Sequence, residues 1–242
     1  MLCFGFGVAG LFLQKLLPQQ HTTDRSRDMI AAIVGLISLL LALVLGTLVG
    51  SAHSFYLTQQ SEMEAFSVRA LQLNLALAEY GPETAPMRSE MKEMYVDIRK
   101  MLWGGNANAT LRALSVTAPL QHLEGMDEYV ASLDPKTSAQ RQYMSSAASY
   151  AAAIEHTRLL MSLQLVSPVS WPLVAIVVSW AMILFCGFGV LSRINATTLV
   201  ALGFGAFAVG SALFLILELS QPFTGVFRAP SAAYDDMLGA LR

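Results

Sequence analysis

One short stretch near the C-terminus combines a carboxylate with turn-forming residues: 216–225 reads ILELSQPFTG. Its glutamate, Glu218, directly follows a long run without any charged residue. A carboxylate is costly inside hydrocarbon but tolerable at a membrane–water boundary, especially with a partner. Pro222 prevents the helix from continuing. The carbonyls of the last turn and the turn at Gly225 then need donors, for which Gln221 and Arg228 are candidates. The pattern predicts that Glu218 pins a membrane bundle to an aqueous one, with direct ion binding as the other open role.

A second set of residues has the types and spacing of a channel lining. It lies in the apolar run that ends at Ala52 and in the two residues that follow it. Leu39 and Leu43 would form a hydrophobic constriction that gates by dewetting, and the polar residues after them would wet a wider mouth. The alternative is that Gly46 and Gly50 serve only the close packing of helices, as in other small-x-x-x-small patterns. The candidate pore-lining residues are Leu39, Leu43, Gly46, Thr47, Gly50, Ser51, His53 and Ser54.

The patterns expected of catalytic or metal sites are absent from the sequence. The four histidines, His21, His53, His122 and His156, lack metal-ligand spacing with each other or with a cysteine. GFGVAG at 5–10 resembles a glycine-rich phosphate loop, but no strand precedes it, so we treat the match as noise. The formal net charge of −2 gives no indication of nucleic-acid binding. We therefore expect no enzyme activity, no metal, no cofactor and no nucleic acid.

The elements that must position these residues are membrane helices. Charged residues make up 13% of the chain, about half the share usual in soluble domains. Three uncharged runs exceed the roughly 20 residues that a span needs: 29–52, 159–192 and 194–217. The apolar segment 1–17 is shorter, and Lys15 follows its core where a signal peptide would carry its charge before it. It is interpreted as a fourth, short membrane helix, with a retained signal anchor as the alternative.

The middle third of the chain is polar, and its apolar residues recur with helical period. One such helix continues from the second span toward Ala78 and stops at Gly81-Pro82. A second covers Met87–Met101 and ends before Gly104-Gly105-Asn106, and a shorter one follows Pro119. Asp134-Pro135 has the pattern of an N-cap followed by proline at the first helical position. We expect an all-α membrane protein extended by an aqueous antiparallel helical bundle. The expected parts are spans one and two (1–52), the helical domain (53–168), spans three and four (169–227) and a C-terminal tail (228–242).

Three motifs, spread over nearly the whole chain, resemble one family. They are Ser26-Arg27-Asp28 before the second span, Val44-Leu45-Gly46 inside it, and Leu217-Glu218-x-x-Gln-Pro-Phe-x-Gly at 217–225. The chain is similar to a bacterial bestrophin-like membrane protein family, formerly a domain of unknown function, that is remotely similar to bestrophin channels. The residues of the motif after the fourth helix are Glu218, Gln221, Pro222, Phe223 and Gly225.

The resemblance implies a homo-oligomeric ion channel whose second transmembrane helix lines the pore. It further implies a cyclic assembly, most simply a pentamer, that contacts membrane lipid and passes inorganic ions. Two differences from the bestrophin pattern limit what the resemblance implies. Thr47 stands where bestrophins place a bulky apolar residue after Val-Leu-Gly. The acidic C-terminal cluster of calcium-gated bestrophins is not present after Gly225, so calcium gating is not implied.

The orientation in the membrane is read in two opposite ways. The short loops carry Lys15, Arg25, Arg27 and Arg193, against Arg69, Arg158 and Arg228 near the other span ends. By the positive-inside rule this count slightly favours a helical domain outside the cytoplasm. The resemblance implies a multi-pass protein of the inner (plasma) membrane with the helical domain and termini in the cytoplasm, and we follow it. The count supports the main alternative, a membrane sensor with a helical sensing bundle. A structural membrane protein without transport is the third possibility.

Overall fold

The computed structural model describes residues 2–16, 24–105, 128–165 and 171–241. Every regular element in these ranges is a helix, which confirms the all-α class. Residues 128–132 are helical as well. The elements in chain order are α1 (Leu2–Leu16), α2 (Asp24–Tyr80), a short 3-10 turn (Pro82–Thr84), α3 (Ala85–Trp103), α4 (Ser138–Leu165), α5 (Trp171–Leu191), α6 (Ala196–Leu219) and α7 (Ala232–Ala240).

Three of these helices are long and apolar enough to cross a membrane: α2, α5 and α6. They correspond to the three uncharged runs of the sequence. The helix α1 has 15 residues, which at about 1.5 Å per residue spans roughly 22 Å and falls short of a hydrocarbon layer of about 30 Å. The predicted fourth span is therefore confirmed as a short apolar helix, and its crossing of the membrane stays a prediction.

The second helix is unusually long, as its sequence pattern predicts. α2 runs without interruption for 57 residues, which corresponds to about 85 Å. It ends where expected, because Gly81 adopts φ 150° and Pro82 follows it. Such a backbone conformation suits glycine alone, since it has no Cβ. α3 likewise ends at Trp103, just before the predicted stop at Gly104-Gly105.

The chain divides into two compact units. The span unit consists of 1–54 and 169–220, and the bundle unit of 55–168 and 221–242. Each has its own apolar core: Leu11, Val34 and Val177 are among the buried residues of the span unit, and Phe66 and Tyr95 among those of the bundle unit. The limits of the membrane-embedded part within these units stay a prediction.

Within the span unit, glycines bring α1 and α5 into backbone contact. A Cβ added at Gly10 would collide with the carbonyl oxygen of Cys186, and one at Gly189 with that of Gly7. Small residues are the usual means of close packing between membrane helices. The GFGVAG segment lies inside α1, and Gly10 within it has a packing role that the sequence analysis did not assign to it.

The start of α4 differs from the prediction. Asp134 and Pro135 lie before the helix, which begins at Ser138. Thr137 caps it: its Oγ1 accepts a hydrogen bond from the Gln140 backbone N–H at 3.1 Å, and Gln140 Oε1 accepts from the Thr137 N–H at 3.3 Å. This reciprocal pair is a capping box, and it satisfies two helix-terminal donors, the backbone N–H groups of Thr137 and Gln140. The predicted helix after Pro119 lies mostly outside the described residues.

Candidate pore face and the motif after helix α6

One side of α2 packs within the span unit. Val34 and Leu41 are about 5% and 4% exposed, respectively, and belong to its core. Val34 lies so close to Gly187 of α5 that a Cβ there would collide with its Cγ2 atom. At the start of the same helix, Arg27 Nη2 donates to the backbone oxygen of Leu191 at 3.2 Å, which supplies a donor to the C-terminal end of α5. These contacts fix the direction in which α2 faces its own chain.

The opposite side of α2 is left open by the described part of the chain. Side chains at Leu39 and Leu43 are 71% and 64% exposed, although leucine is among the residues most often buried. The eight residues predicted to line a pore are all exposed: Leu39, Leu43, Gly46, Thr47, Gly50, Ser51, His53 and Ser54. They include the aliphatic and the polar members of the set, so the exposure follows the helix face and not residue polarity.

The glycines of this side have no packing partner in the described protomer. A Cβ placed on Gly35, Gly46 or Gly50 meets no heavy atom within 4 Å outside the local helix backbone. The small-x-x-x-small pattern at Gly46 and Gly50 therefore packs no helix of the same chain among the described residues. This contrasts with Gly10 and Gly187, where an added Cβ would collide with a neighbouring helix.

Thr47 presents a hydroxyl on this face at the level where a bulky apolar residue was expected from the resemblance. Its Oγ1 donates to the Val44 backbone oxygen at 2.9 Å. The hydroxyl proton is thereby engaged in the helix, and the oxygen keeps acceptor capacity. An exposed hydroxyl oxygen just after the Leu43 level can accept a hydrogen bond from water.

The motif after α6 forms a tight turn whose phenylalanine enters the bundle core. The backbone N–H groups of Thr224 and Gly225 both donate to the Gln221 oxygen at 3.2 Å. Phe223 is 2% exposed and packs edge-on against Trp103, with ring centroids 6.1 Å apart. Pro222 is also buried, and its backbone oxygen accepts from the Ala229 N–H at 2.7 Å. The Gln-Pro-Phe-x-Gly sequence is thus a structural anchor of the bundle unit.

The donors after α6 agree in part with those suggested by the sequence, and a serine that was not suggested serves the last turn of the helix. The Ser220 hydroxyl and backbone N–H both donate to the Ile216 oxygen, at 2.6 and 3.2 Å. Gln221 and Arg228 were the expected donors for the last turn and for the turn at Gly225. Arg228 does serve the turn at Gly225, because its Nε donates to the Gly225 oxygen at 3.1 Å. Ser220 was overlooked because its short side chain bonds only to its own helix. The sequence alone does not distinguish such a serine from one whose hydroxyl is solvated. Glu218 is half-buried on the last turn of α6.

Sequence analysis also missed the part of the bundle core that follows this motif. Residues 228–242 were expected to be a tail, yet α7 lies there and buries Tyr234 and Met237. Trp103 Nε1 donates to the Ala229 backbone oxygen at 2.9 Å. Arg99 forms an ion pair with Asp235 of α7. The spacing of Tyr234 and Met237, three residues apart, was the available indication that one face of a short helix is buried.

Within the described ranges, no three side chains of histidine, cysteine, aspartate or glutamate group together in a way that could hold a metal ion. Cys3 and Cys186 are both free thiols in the span unit. On the exposed side of α2, the apolar residues Leu39 and Leu43 are followed by polar residues.

Long apolar helices with an uncovered polar-to-apolar face define a helical membrane protein. The family described as "Bestrophin-like domain" matches residues 1–234. This chain therefore belongs to the bestrophin-like family, as its motifs indicated. Comparison with curated proteins and with solved structures gives no match.

Proposed function

We propose that the protein is a homo-oligomeric ion channel whose pore is lined by the uncovered face of α2. The observation that carries the proposal is the two-sided character of this helix. Val34 and Leu41 pack inside the protomer, whereas Leu39 and Leu43 are exposed on the other side. Membership of the bestrophin-like family, a family of channel-like membrane proteins, supports the same function.

A pore of this kind needs several chains, because a single face of one helix encloses no channel. Closed cyclic symmetry places the same face of each copy around a common axis. Leu39 and Leu43 of each copy would then form apolar rings that hold water out when they are close, and Thr47, Ser51 and Ser54 would line the wetted part. We propose a cyclic homo-oligomer, a pentamer by analogy with bestrophins, that passes inorganic ions and contacts membrane lipid with its outer helices.

The exposed apolar side chains of α5 and α6 would contact the lipid in this arrangement. Phe204 and Phe207 of α6 are 72% and 75% exposed, and Ile183 of α5 is exposed as well. In this arrangement α1 is a fourth, short span, which reaches across the hydrocarbon only if the bilayer thins locally or polar side chains extend to the interface. Glu218, at the end of α6, would lie at the membrane boundary, where an ionised carboxylate costs less free energy than in the hydrocarbon.

The assembly is tested by native mass spectrometry of the full chain in mild detergent. The proposal expects a single cyclic species of several copies, with five as the specific expectation. Reconstitution of the same sample into liposomes should then give ion flux above that of protein-free vesicles. A purely monomeric protein would remove the channel proposal.

The proposed orientation places the bundle unit and both termini in the cytoplasm of a bacterium, with the spans in the inner membrane. Ser138, the exposed first residue of α4, is a suitable reporter. In a background lacking Cys3 and Cys186, a Ser138→Cys variant should react with a membrane-impermeant thiol reagent in inside-out vesicles and not in intact cells. Labelling of intact cells would reverse the orientation and favour a sensor whose bundle faces outward.

A further inference from the structure

The segment 222–229, called here the closed loop, has a buried base. Phe223 and Ala229 lie near its two ends, and each is 2% exposed in the core of the bundle unit. The Ala229 backbone N–H donates to the Pro222 oxygen at 2.7 Å, which closes the loop, and Trp103 Nε1 donates to the Ala229 oxygen at 2.9 Å. Both ends of the loop are therefore fixed on a packed core.

The middle of the closed loop is held by its own hydrogen bonds. The backbone N–H groups of Thr224 and Gly225 both donate to the Gln221 oxygen at 3.2 Å. Arg228 donates from Nε to the Gly225 oxygen at 3.1 Å and from Nη1 to the Trp103 oxygen at 3.4 Å. The residues between Gly225 and Arg228 are thus presented on a support whose geometry is defined.

The tip of the closed loop exposes two large apolar side chains. Val226 and Phe227 are 79% and 52% exposed, and no large apolar side chain in the described part of the bundle unit is more exposed than Val226. Arg228, the next residue, is exposed as well. Apolar side chains beside an arginine are typical of segments that enter the headgroup region of a bilayer.

The chain brings the closed loop to the end of a membrane-crossing helix. α6 is long and apolar enough to cross a membrane and ends at Leu219. Only Ser220 and Gln221 separate it from Pro222, the first residue of the loop. So short a connection keeps the loop close to the point where α6 leaves the hydrocarbon.

A hydrogen bond from α2 places the closed loop near a membrane boundary independently. The Tyr56 hydroxyl donates to the Arg228 backbone oxygen at 3.2 Å. Tyr56 follows Ala52, where the uncharged run of α2 ends, by roughly 6 Å along the helix axis. Tyrosine is also a typical residue of the membrane–water interface. The apolar ends of two membrane-crossing helices therefore both lie a short way along the chain from contacts with this loop.

We propose that the closed loop anchors the bundle unit to the membrane, with the headgroup region of the bilayer as its partner. Val226 and Phe227 enter the boundary between headgroups and acyl chains, which removes their apolar surface from water. Arg228 binds lipid phosphate, because a guanidinium has more N–H groups than its bonds to Gly225 and Trp103 use. The fixed base limits insertion to the tip. The anchor depends on the membrane location of α2 and α6 and not on ion conduction.

The anchor is tested by the access of lipid to a label at the tip. In the background lacking Cys3 and Cys186, Val226→Cys is labelled with an environment-sensitive fluorophore. The full-length protein is then reconstituted into liposomes of phosphatidylcholine and phosphatidylglycerol, part of which carries a nitroxide quencher near the carbonyl end of its acyl chains. The label should show blue-shifted emission and strong quenching by the nitroxide lipid.

The same label at the start of α4 is the matched control for position. Ser138 is exposed, and near it Gln140 Nε2 donates to the oxygen of Tyr80, the last residue of α2, at 3.2 Å. Tyr80 lies about 36 Å along α2 from Tyr56. A label at Ser138→Cys should therefore keep the emission of a fluorophore in water and show little quenching by the nitroxide lipid.

Two aspartate variants test whether the apolar tip is what holds the label in the lipid. Phe227→Asp should reduce the quenching of the Val226 label several-fold, because a carboxylate is disfavoured at the acyl-chain boundary. Leu75→Asp changes a similarly exposed apolar side chain further along α2 and should leave the quenching unchanged. If Phe227→Asp does not fold, Phe227→Ser replaces it.

Two results would overturn the proposal. One is a Val226 label with the emission of a fluorophore in water and no quenching by the nitroxide lipid, which would mean that the tip faces water. The other is a blue-shifted label that neither the nitroxide lipid nor aqueous iodide quenches, which would mean that protein covers the tip. Either result leaves the proposed channel function untouched, because the oligomer and its flux are measured separately.

Discussion

Two leucines on α2, two positions apart, carry the contrast on which the channel proposal depends. Leu41 is 4% exposed in the core of the span unit, whereas Leu43 is 64% exposed. A helix that only crossed the lipid as part of a bundle would also show an exposed side. What distinguishes α2 is that the exposed side passes from Leu39 and Leu43 to small and polar residues between Gly46 and Ser54. Such a change from apolar to polar residues along a helix is more typical of a surface that contacts water than of one that contacts lipid.

Replacement of these leucines by serine is predicted to have opposite effects on stability. Leu41→Ser leaves a cavity and a polar group in a packed core, with a cost on the order of 2–5 kcal/mol. Leu43 is mostly exposed, so Leu43→Ser removes little packing within the protomer, and the unfolding midpoint of the purified protein should change little. Thermal unfolding of both variants in one detergent provides the measurement. Equal destabilisation by both would mean that Leu43 is packed in the assembly and does not face a lumen.

At the level of whole elements, the sequence predicted the helices well and their packing poorly. α2, α3 and α6 end where glycine, proline and the Gln-Pro-Phe motif predict, since these stops depend on local backbone chemistry. The capping box at Thr137 could have been read from Thr-x-x-Gln, but the nearby Asp134-Pro135 gave a competing pattern. The contact of α1 with α5 was not predictable, because glycines spaced along a helix do not reveal which helix they face.

The candidate site shows the same limit. Its eight residues were chosen from residue type, helical spacing and resemblance. The structure adds that all eight are exposed, because α2 packs against its own chain with its other side. The anchor role of Phe223 did not follow, because its partner Trp103 lies far away in sequence. The hydrogen bond from the Tyr234 hydroxyl to the Tyr95 backbone oxygen was not predicted either, because Tyr234 lies on α7, in a part of the chain that was predicted as a tail.

Two glycine-to-alanine changes separate the packed from the open helix surfaces. At Gly10 a Cβ would collide with the Cys186 oxygen, so Gly10→Ala must push α1 away from α5, at a cost of about 1–3 kcal/mol. At Gly46 the Cβ meets open space, and Gly46→Ala should preserve stability or raise it by up to about 1 kcal/mol through helix propensity. Unfolding midpoints of the two variants check the difference. A destabilised Gly46→Ala variant would instead place a close-packed partner at this face in the oligomer.

For the molecule as a whole, the central claim is that the uncovered face of α2 surrounds a pore that leucine rings keep dry. The most direct measurement is ion flux through liposomes containing the Leu43→Ser oligomer, beside wild type and an Ile183→Ser variant on an exposed face of α5. A serine ring hydrogen-bonds incoming water where leucine cannot. The account predicts an intact oligomer with flux clearly above wild type for Leu43→Ser and unchanged flux for Ile183→Ser. Flux of an intact Leu43→Ser oligomer no higher than that of wild type would contradict it.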